Sequence, residues 1–163
     1  NSEYTQYKRF EILTSFIKNE IKESTIVDAG CGFAEYYNYL FDNNLKPKSY
    51  IGIDCEEKMI EIASKRFLNT SFYIKNILQD EIPFADYYIC SGAMNILEKN
   101  EAFIFINNCF KASKKAFIFN LLKNDQLSKL NITDIYTYCK SLSNKINIRE
   151  NYLDNDISIL MEK

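Results

Sequence analysis

Hydrophobic and polar positions follow two alternating patterns along this chain. Short apolar, β-branched runs typical of buried strands recur between segments whose apolar positions return every three or four residues, as in amphipathic helices. The predicted strands cover residues 24–28, 49–54, 71–74, 85–91, 115–121, 145–151 and 156–162. The predicted helices cover residues 3–22, 34–44, 56–67, 99–112 and 132–142. Strands separated by helices indicate a mostly parallel sheet with helices on both faces.

The end of the chain breaks this alternation. The runs 145–151 and 156–162 are joined by a short polar turn, which leaves no room for a crossover helix. We therefore expect these two strands to be antiparallel. A length of 163 residues fits one domain with its own hydrophobic core. We expect a single domain over residues 1–163, with residues 1–23 as an N-terminal helical segment.

Composition narrows the chemistry. The chain has no histidine, which excludes Ser-His-Asp catalysis and metal sites built on imidazole, and we expect no metal site. Its formal net charge is -2. Its five cysteines are scattered without a CxxC pair, as expected for free thiols in a reducing cytoplasm. No apolar run approaches the length of a membrane span, so a cytoplasmic protein without a membrane partner is expected.

The most informative segment is Asp28-Ala29-Gly30-Cys31-Gly32, where the first predicted strand turns into the next helix. Glycines at such a turn allow tight backbone geometry and let a ligand approach the main chain. A purely structural turn is the alternative. Asp54 ends the second strand, where an acid bonds the ribose hydroxyls in dinucleotide-type folds, although a lone aspartate after a strand is often only a helix cap. Its spacing from the glycine turn favours the ribose role.

These segments resemble the motifs of class I S-adenosylmethionine-dependent methyltransferases, and the resemblance covers nearly the whole chain. Residues 27–32 resemble the first motif and residues 51–54 the second. Residues 72–77 resemble the segment beside adenine, and residues 85–92 the strand that borders the methyl group. Ala34 replaces the last glycine of the first motif. The resemblance implies a Rossmann-like three-layer α/β/α sandwich, with a mostly parallel seven-stranded sheet and an antiparallel last strand.

The resemblance also implies S-adenosyl-L-methionine as the cofactor and S-adenosyl-L-homocysteine (SAH) as the product. The implied cofactor-binding residues are Asp28, Ala29, Gly30, Cys31, Gly32, Asp54, Cys55, Met59, Asn76, Ile77 and Ser91. Among these, Met59 would contact adenine, and Asn76 would accept a hydrogen bond from its amino group. Family members often carry a lid ahead of the first motif, which makes Tyr7 a candidate lid residue.

No catalytic residue can be assigned, but two asparagines are candidates for orienting the acceptor. Asn95 and Asn120 follow the fourth and fifth predicted strands, at the carboxyl edge where open α/β sheets bind ligands. Helix capping or loop hydrogen bonding is an equal alternative for both.

Two other classes of protein compete with a methyltransferase. A NAD-type oxidoreductase shares the glycine turn and the ribose acid, but Phe33, Ala34 and Glu35 occupy the approach of a pyrophosphate, and Glu35 would repel it. The chain could instead be a non-catalytic cofactor-binding or scaffold protein, against which the intact Asp28 and Asp54 argue.

A small-molecule acceptor is expected rather than a nucleic acid. Residues 91–95 differ from the Asn/Asp-Pro-Pro-Tyr type that holds a nucleobase amine, and the net charge is negative. Long nucleic acids are gripped largely through their phosphates. The residues able to form a basic patch are Lys8, Arg9, Lys123 and Lys129. Of these, Lys8 and Arg9 are expected to be solvated.

Overall fold

A computed structural model describes residues 2–123 and 129–163. Seven strands form one sheet: β1 (Thr25–Ala29), β2 (Ser49–Asp54), β3 (Ser71–Ile74), β4 (Ala85–Ser91), β5 (Ser113–Leu122), β6 (Lys145–Glu150) and β7 (Asp156–Glu162). Five helices accompany them: α1 (Glu3–Ser15), α2 (Glu35–Asp42), α3 (Glu57–Arg66), α4 (Lys99–Ala112) and α5 (Ile132–Leu142). Two short 3-10 helices, Ile21–Glu23 and Ala93–Ile96, precede β1 and follow β4.

The strands lie in the order β3-β2-β1-β4-β5-β7-β6. The first five are parallel, and β7 runs antiparallel to both β5 and β6. The predicted sheet and its antiparallel final hairpin are therefore confirmed. The chain order reverses between β1 and β4, and open α/β sheets bind ligands at the carboxyl ends of strands at such a switch point.

Helices cover both faces of the sheet, which completes the three predicted layers. Alternate residues of a strand point to opposite faces, so Phe117 and Phe119 of β5 pack with α4 and α5, whereas Ile118 packs with α1 and α2. Phe10 of α1 and Leu40 of α2 are buried in this second layer. Helix α1 is thus part of the hydrophobic core.

The first helix is shorter than its apolar spacing predicts. It ends at Ser15 rather than near residue 22. The Ile17 N–H bonds the Thr14 carbonyl at 3.0 Å, three residues back instead of four, and the chain continues in turns to the 3-10 helix at Ile21–Glu23. Ile17 and Ile21 are nevertheless buried. Their spacing correctly predicts burial but not a continuous helix.

All five cysteines are free. Four of them are buried, as expected for thiols in apolar runs, and only Cys55 is exposed. None of the helices in the described ranges has the length and apolar character needed to cross a membrane.

Candidate functional site

The turn after β1 is tied to the end of β2 through its backbone. The N–H groups of Gly30 and Cys31 both donate to the carbonyl of Ile53, at 2.8 and 2.9 Å. Gly30 (φ 78°) and Gly32 (φ 54°) both have left-handed backbone conformations. Such conformations are costly for most side chains, so these glycines let the chain reverse from strand to helix within a few residues.

Asp54 lies on the rim of this turn. Its Oδ2 accepts the Gly32 N–H at 2.9 Å, and its Oδ1 accepts the Glu56 N–H at 3.0 Å. Asp54 therefore closes a local turn just ahead of α3 and also fixes the glycine turn. Each carboxylate oxygen can accept more than one hydrogen bond, so both remain able to accept a ligand hydroxyl.

Gly32 borders open space beside Asp54. A Cβ atom built on Gly32 would meet no atom within 4 Å. The space is therefore available to a ligand that approaches the main chain closely and reaches the Asp54 carboxylate. A ribose carrying two vicinal hydroxyls fits this chemistry, because an ionised carboxylate forms strong hydrogen bonds to such donors.

Asp28 lies beneath the turn rather than on its rim. Asp28 is only 2% exposed, and its Oδ2 accepts a hydrogen bond from the Tyr50 hydroxyl at 2.6 Å. Burial raises the pKa of Asp28 to about 7, the Tyr50 hydrogen bond opposes this shift, and the charge of Asp54 adds to it. This role of Tyr50 was not predicted from the sequence, because its hydroxyl reaches Asp28 only through the pairing of β2 with β1.

Gly30 allows a close approach between the turn and the segment after β4. A Cβ atom at Gly30 would lie 2.3 Å from the Cβ of Ala93, far inside van der Waals contact. A side chain at Gly30 would thus collide with the protein itself. Ala93 had no signal in the sequence, since the contact joins segments that are distant along the chain.

Ala34 has a left-handed conformation (φ 65°) and is fully buried at the start of α2. The neighbouring Glu35 does not present a free negative charge, because its Oε1 accepts the Arg66 Nη1 at 2.6 Å. Repulsion of a pyrophosphate by Glu35 is therefore weaker than we expected from the sequence. The charge of Glu35 is therefore only weak evidence against a dinucleotide.

The remaining predicted cofactor residues have different surroundings. Ala29 and Ile77 are buried in the core cluster that contains Ile53, whereas Met59 and Ser91 are half-buried, the latter at the end of β4. Of these four residues, Met59 and Ser91 therefore present surface to a ligand, whereas Ala29 and Ile77 do not.

Asn76 closes a local turn after β3. Its Oδ1 accepts the Leu78 N–H at 2.9 Å, and its own N–H donates to Asp80 Oδ2 at 2.7 Å. An amide oxygen can accept two hydrogen bonds, so one remains available for an adenine amino group.

The two thiols of the turn region are protonated at neutral pH. Burial, with the nearby charges of Asp28 and Asp54, raises the pKa of Cys31 well above its ordinary value. Burial and neighbouring carboxylates also raise the pKa of the exposed Cys55. Because the thiolate is the nucleophilic form, neither cysteine is equipped to attack a substrate.

The predicted acceptor-orienting asparagines are both engaged by the protein. Asn120 lies inside β5 rather than after it and is 1% exposed, which corrects the prediction of an asparagine beyond the strand end. Its Nδ2 donates to Asp156 Oδ1 at 3.2 Å, and its Oδ1 has no partner among the residues that the structure describes. Asn95 Oδ1 accepts the Leu122 N–H at 3.1 Å.

Tyr7 lies on α1 and packs against α2. Its ring centroid lies 6.0 Å from that of Phe10 on α1 and 5.9 Å from that of Tyr39 on α2. The glycine turn and Asp54 are therefore held together by a hydrogen bond, whereas Tyr7 packs against the aromatic rings of Phe10 and Tyr39.

The four basic residues considered as a nucleic-acid patch are each paired with a carboxylate. The pairs are Lys8 with Glu11, Arg9 with Asp156, Lys123 with Glu150 and Lys129 with Glu98. Arg9 is not solvated as expected, because its side chain is 13% exposed and its Nε lies 2.6 Å from Asp156 Oδ1. Its long side chain is drawn inward by a buried carboxylate that only the fold brings near.

Comparison with known proteins agrees with this geometry. Residues 26–116 match the family model described as a methyltransferase domain. Over 123 residues the chain is 28% identical to the putative methyltransferase 235L of Invertebrate iridescent virus 6. The matched segment covers 71% of this chain and 45% of the relative. The chain thus spans less than half the length of this curated relative.

Solved structures share the fold at low sequence identity. Magnesium protoporphyrin IX methyltransferase (ChlM) from Synechocystis, with bound SAH, superposes with a TM-score of 0.77 at 13% identity, covering 100% of this chain and 87% of that one. An S-adenosylmethionine-dependent methyltransferase from Clostridium acetobutylicum gives a TM-score of 0.76 at 14% identity, covering 99% and 92% of the two chains. At these identities the likeness establishes the Rossmann-like fold.

Proposed function

This chain belongs to the family of methyltransferase domains, and on that premise we propose that it binds S-adenosyl-L-methionine and transfers its methyl group to a small-molecule acceptor. The observation that carries the proposal is the pairing of Gly32 with Asp54. Open space beside Gly32 lies next to a carboxylate whose oxygens can accept further hydrogen bonds. A nucleoside needs both features, namely close access to the main chain and an acid for its ribose.

The residues of this chain act mainly by binding and orienting. Asp54 accepts the ribose hydroxyls, Gly32 admits the ligand to the main chain, and the half-buried Met59 and Ser91 bound the cleft. The side-chain oxygen of Asn76 accepts a hydrogen bond from the adenine amino group. When bound, the cofactor would supply a sulfonium-activated methyl group to a lone pair of the acceptor, with SAH as the leaving group. The protein accelerates this step by aligning the acceptor and by excluding water.

The other cofactor residues support the site from below. Asp28 and Ala29 fix the end of β1, Gly30 and Cys31 bond their N–H groups to Ile53, and Cys55 and Ile77 flank the ends of β2 and β3. We assign these residues a role in shaping the cofactor cleft.

The N-terminal segment, residues 1–23, is proposed to belong to the same domain, residues 1–163, and to border the cleft with Tyr7 as a lid residue. Asn1 and residues 124–128 lie outside the described residues. The Arg9–Asp156 ion pair supports this proposal. It joins α1 to Asp156 at the start of β7, and Asp156 pairs with Leu122 at the carboxyl end of β5.

The small-molecule acceptor is supported by the pairing of all four candidate basic residues with carboxylates. Paired lysines offer little net charge for gripping phosphates, and a net charge of -2 adds no attraction. Asn95, which is half-buried just after β4, remains the proposed group that orients the acceptor, whereas the buried Asn120 has no surface to offer one.

The decisive experiment measures SAH binding by titration calorimetry and by thermal unfolding. A ligand that binds only the folded state raises its stability, by about 2.7 kcal/mol at a concentration of 100 times the dissociation constant. We expect SAH to bind and NAD to have no effect. Binding of NAD without SAH would contradict the proposal and favour an oxidoreductase.

The acceptor class is tested with generic tRNA and duplex DNA at low and moderate salt. We expect weak binding that a triple charge reversal of Lys8, Lys123 and Lys129 leaves unchanged. Arg9 is left intact in this variant because it is buried in an ion pair. Tight, steeply salt-dependent binding that the reversal abolishes would identify a nucleic-acid acceptor instead.

A further inference from the structure

A second concave site lies at the opposite edge of the sheet from the glycine turn. It is a pocket of about 230 Å³ where the chain enters β2 and β3. Its polar lining consists of Lys46, Lys48, Ser49, Asn69, Thr70 and Ser71. The site is independent of the proposed cofactor cleft, which lies at the carboxyl ends of the strands.

The charge of this pocket is positive and unbalanced. Lys46 and Lys48 line it without any lining carboxylate. Both lysines are exposed, and within the described residues neither forms an ion pair. Two ammonium groups beside one small cavity repel each other, and an anion between them would replace that repulsion with attraction.

The uncharged lining also favours an anion. Ser49, Thr70 and Ser71 can donate hydroxyl hydrogen bonds, and Asn69 can donate from its amide. Within the described residues, none of these four side chains has a hydrogen-bond partner. The pocket therefore offers donors that the protein itself does not use.

The pocket has a firm base. The rings of Tyr37 and Tyr50 both line it, with centroids 4.5 Å apart, and both residues are buried. Ser49 and Ser71 are the first residues of neighbouring parallel strands. Donors on such rigid elements are held in place before a ligand arrives, which lowers the entropic cost of binding.

We propose that this pocket binds a phosphate group. A phosphate carries several acceptor oxygens and no obligatory donor, which matches a lining of two cations and four unused donors. Its source is either free phosphate or the phosphate of a small ester, and the same chemistry recognises both.

The test is a titration of isotope-labelled protein, followed by two-dimensional NMR at constant ionic strength. The probes are inorganic phosphate, glycerol 3-phosphate and adenosine monophosphate, with chloride as the reference anion. We expect saturable amide shifts at Ser49 and at residues 69–71, with a dissociation constant of about 1 mM or tighter for at least one probe. The tightest probe identifies the source of the phosphate.

A matched pair of double variants separates a built site from general charge. Lys46→Gln with Lys48→Gln should weaken binding at least tenfold, because it removes both cations of the pocket. Lys58→Gln with Lys114→Gln changes the net charge equally at exposed lysines outside the pocket and should leave binding unchanged. Both variants should bind SAH like the wild type, so this test does not depend on the cofactor proposal. Shifts that do not saturate, or equal losses in both variants, would overturn the phosphate site.

Discussion

The glycine turn has two halves whose residues look alike in sequence but face different surroundings. The inner half, Asp28 and Gly30, faces protein: Asp28 bonds Tyr50, and Gly30 faces Ala93. The outer half, Gly32 and Asp54, faces open space and is joined by one hydrogen bond. An aspartate and a glycine at the end of a strand can thus serve the fold in one half and a ligand in the other. Variants of the inner half should change folding, and variants of the outer half should change binding.

The largest effect is expected for Gly30→Val in the inner half. Its Cβ would lie 2.3 Å from Ala93 Cβ, and a β-branched residue is strained at a φ of 78°. Overpacking and backbone strain together should lower the free energy of unfolding by roughly 4 kcal/mol or more. Urea unfolding followed by circular dichroism measures the loss. A variant with wild-type stability that no longer binds SAH would move Gly30 to the outer half.

The second prediction concerns the titration of Asp28. Its pKa in the folded protein is about 7, against an ordinary value of 3.8, so the folded state holds this proton more tightly than the unfolded state. The resulting stabilisation is fully present below about pH 4 and is lost as the pH rises through 7. A shift of about three pKa units corresponds to roughly 4 kcal/mol.

Asp28→Asn isolates this contribution, because its side-chain oxygen still accepts the Tyr50 hydroxyl but does not titrate. The unfolding free energy of the wild type, minus that of Asp28→Asn, should fall between about pH 4 and pH 8. Asp42→Asn, at an exposed position, is the control and should show no such trend. A difference that stays constant with pH would mean that Asp28 remains ionised throughout.

The third prediction places Asp54 in the outer half. Asp54→Ala removes two charge-assisted hydrogen bonds to the ribose and should weaken SAH binding by roughly 2–4 kcal/mol. Its folding cost should be smaller, about 1 kcal/mol, since the variant loses the partners of the Gly32 and Glu56 N–H groups near the surface. Calorimetry measures the affinity, with Asp42→Ala as the matched control. Unchanged affinity would remove Asp54 from the ribose site.

Much of the fold was predictable because burial leaves a clear pattern in strands. The predicted bounds 49–54, 71–74 and 85–91 are those of β2, β3 and β4. The length of the first helix was not predictable, because Ile17 and Ile21 are buried by tight turns that preserve the apolar spacing of a helix. Local pattern therefore reports burial more reliably than it reports where a helix ends.

The candidate site was predictable as a segment but not by the direction of its side chains. Its acids and glycines were identified, yet the inner and outer halves differ through partners that come from other elements. Tyr50 reaches Asp28 from β2, Ala93 reaches Gly30 from beyond β4, and Asp156 draws Arg9 inward from β7. These contacts depend on sheet register and strand order, which residue spacing does not contain.

The smallest overall effect, and the sharpest test of the comparison, is expected for Gly32→Ala. The backbone there is left-handed (φ 54°), but Ala34 of the same turn already has this conformation at φ 65°. The cost in unfolding free energy should therefore be about 1 kcal/mol. The added methyl group would meet no protein atom within 4 Å and would enter the space assigned to the ligand. SAH affinity should fall at least about tenfold, which equals about 1.4 kcal/mol. Gly92→Ala, at another left-handed glycine (φ 79°) whose Cβ would have only an ordinary contact, gives the conformational cost alone by urea unfolding. If Gly32→Ala binds SAH as tightly as the wild type, the open space beside Asp54 is not the cofactor's, and the two halves of the turn do not divide folding from binding.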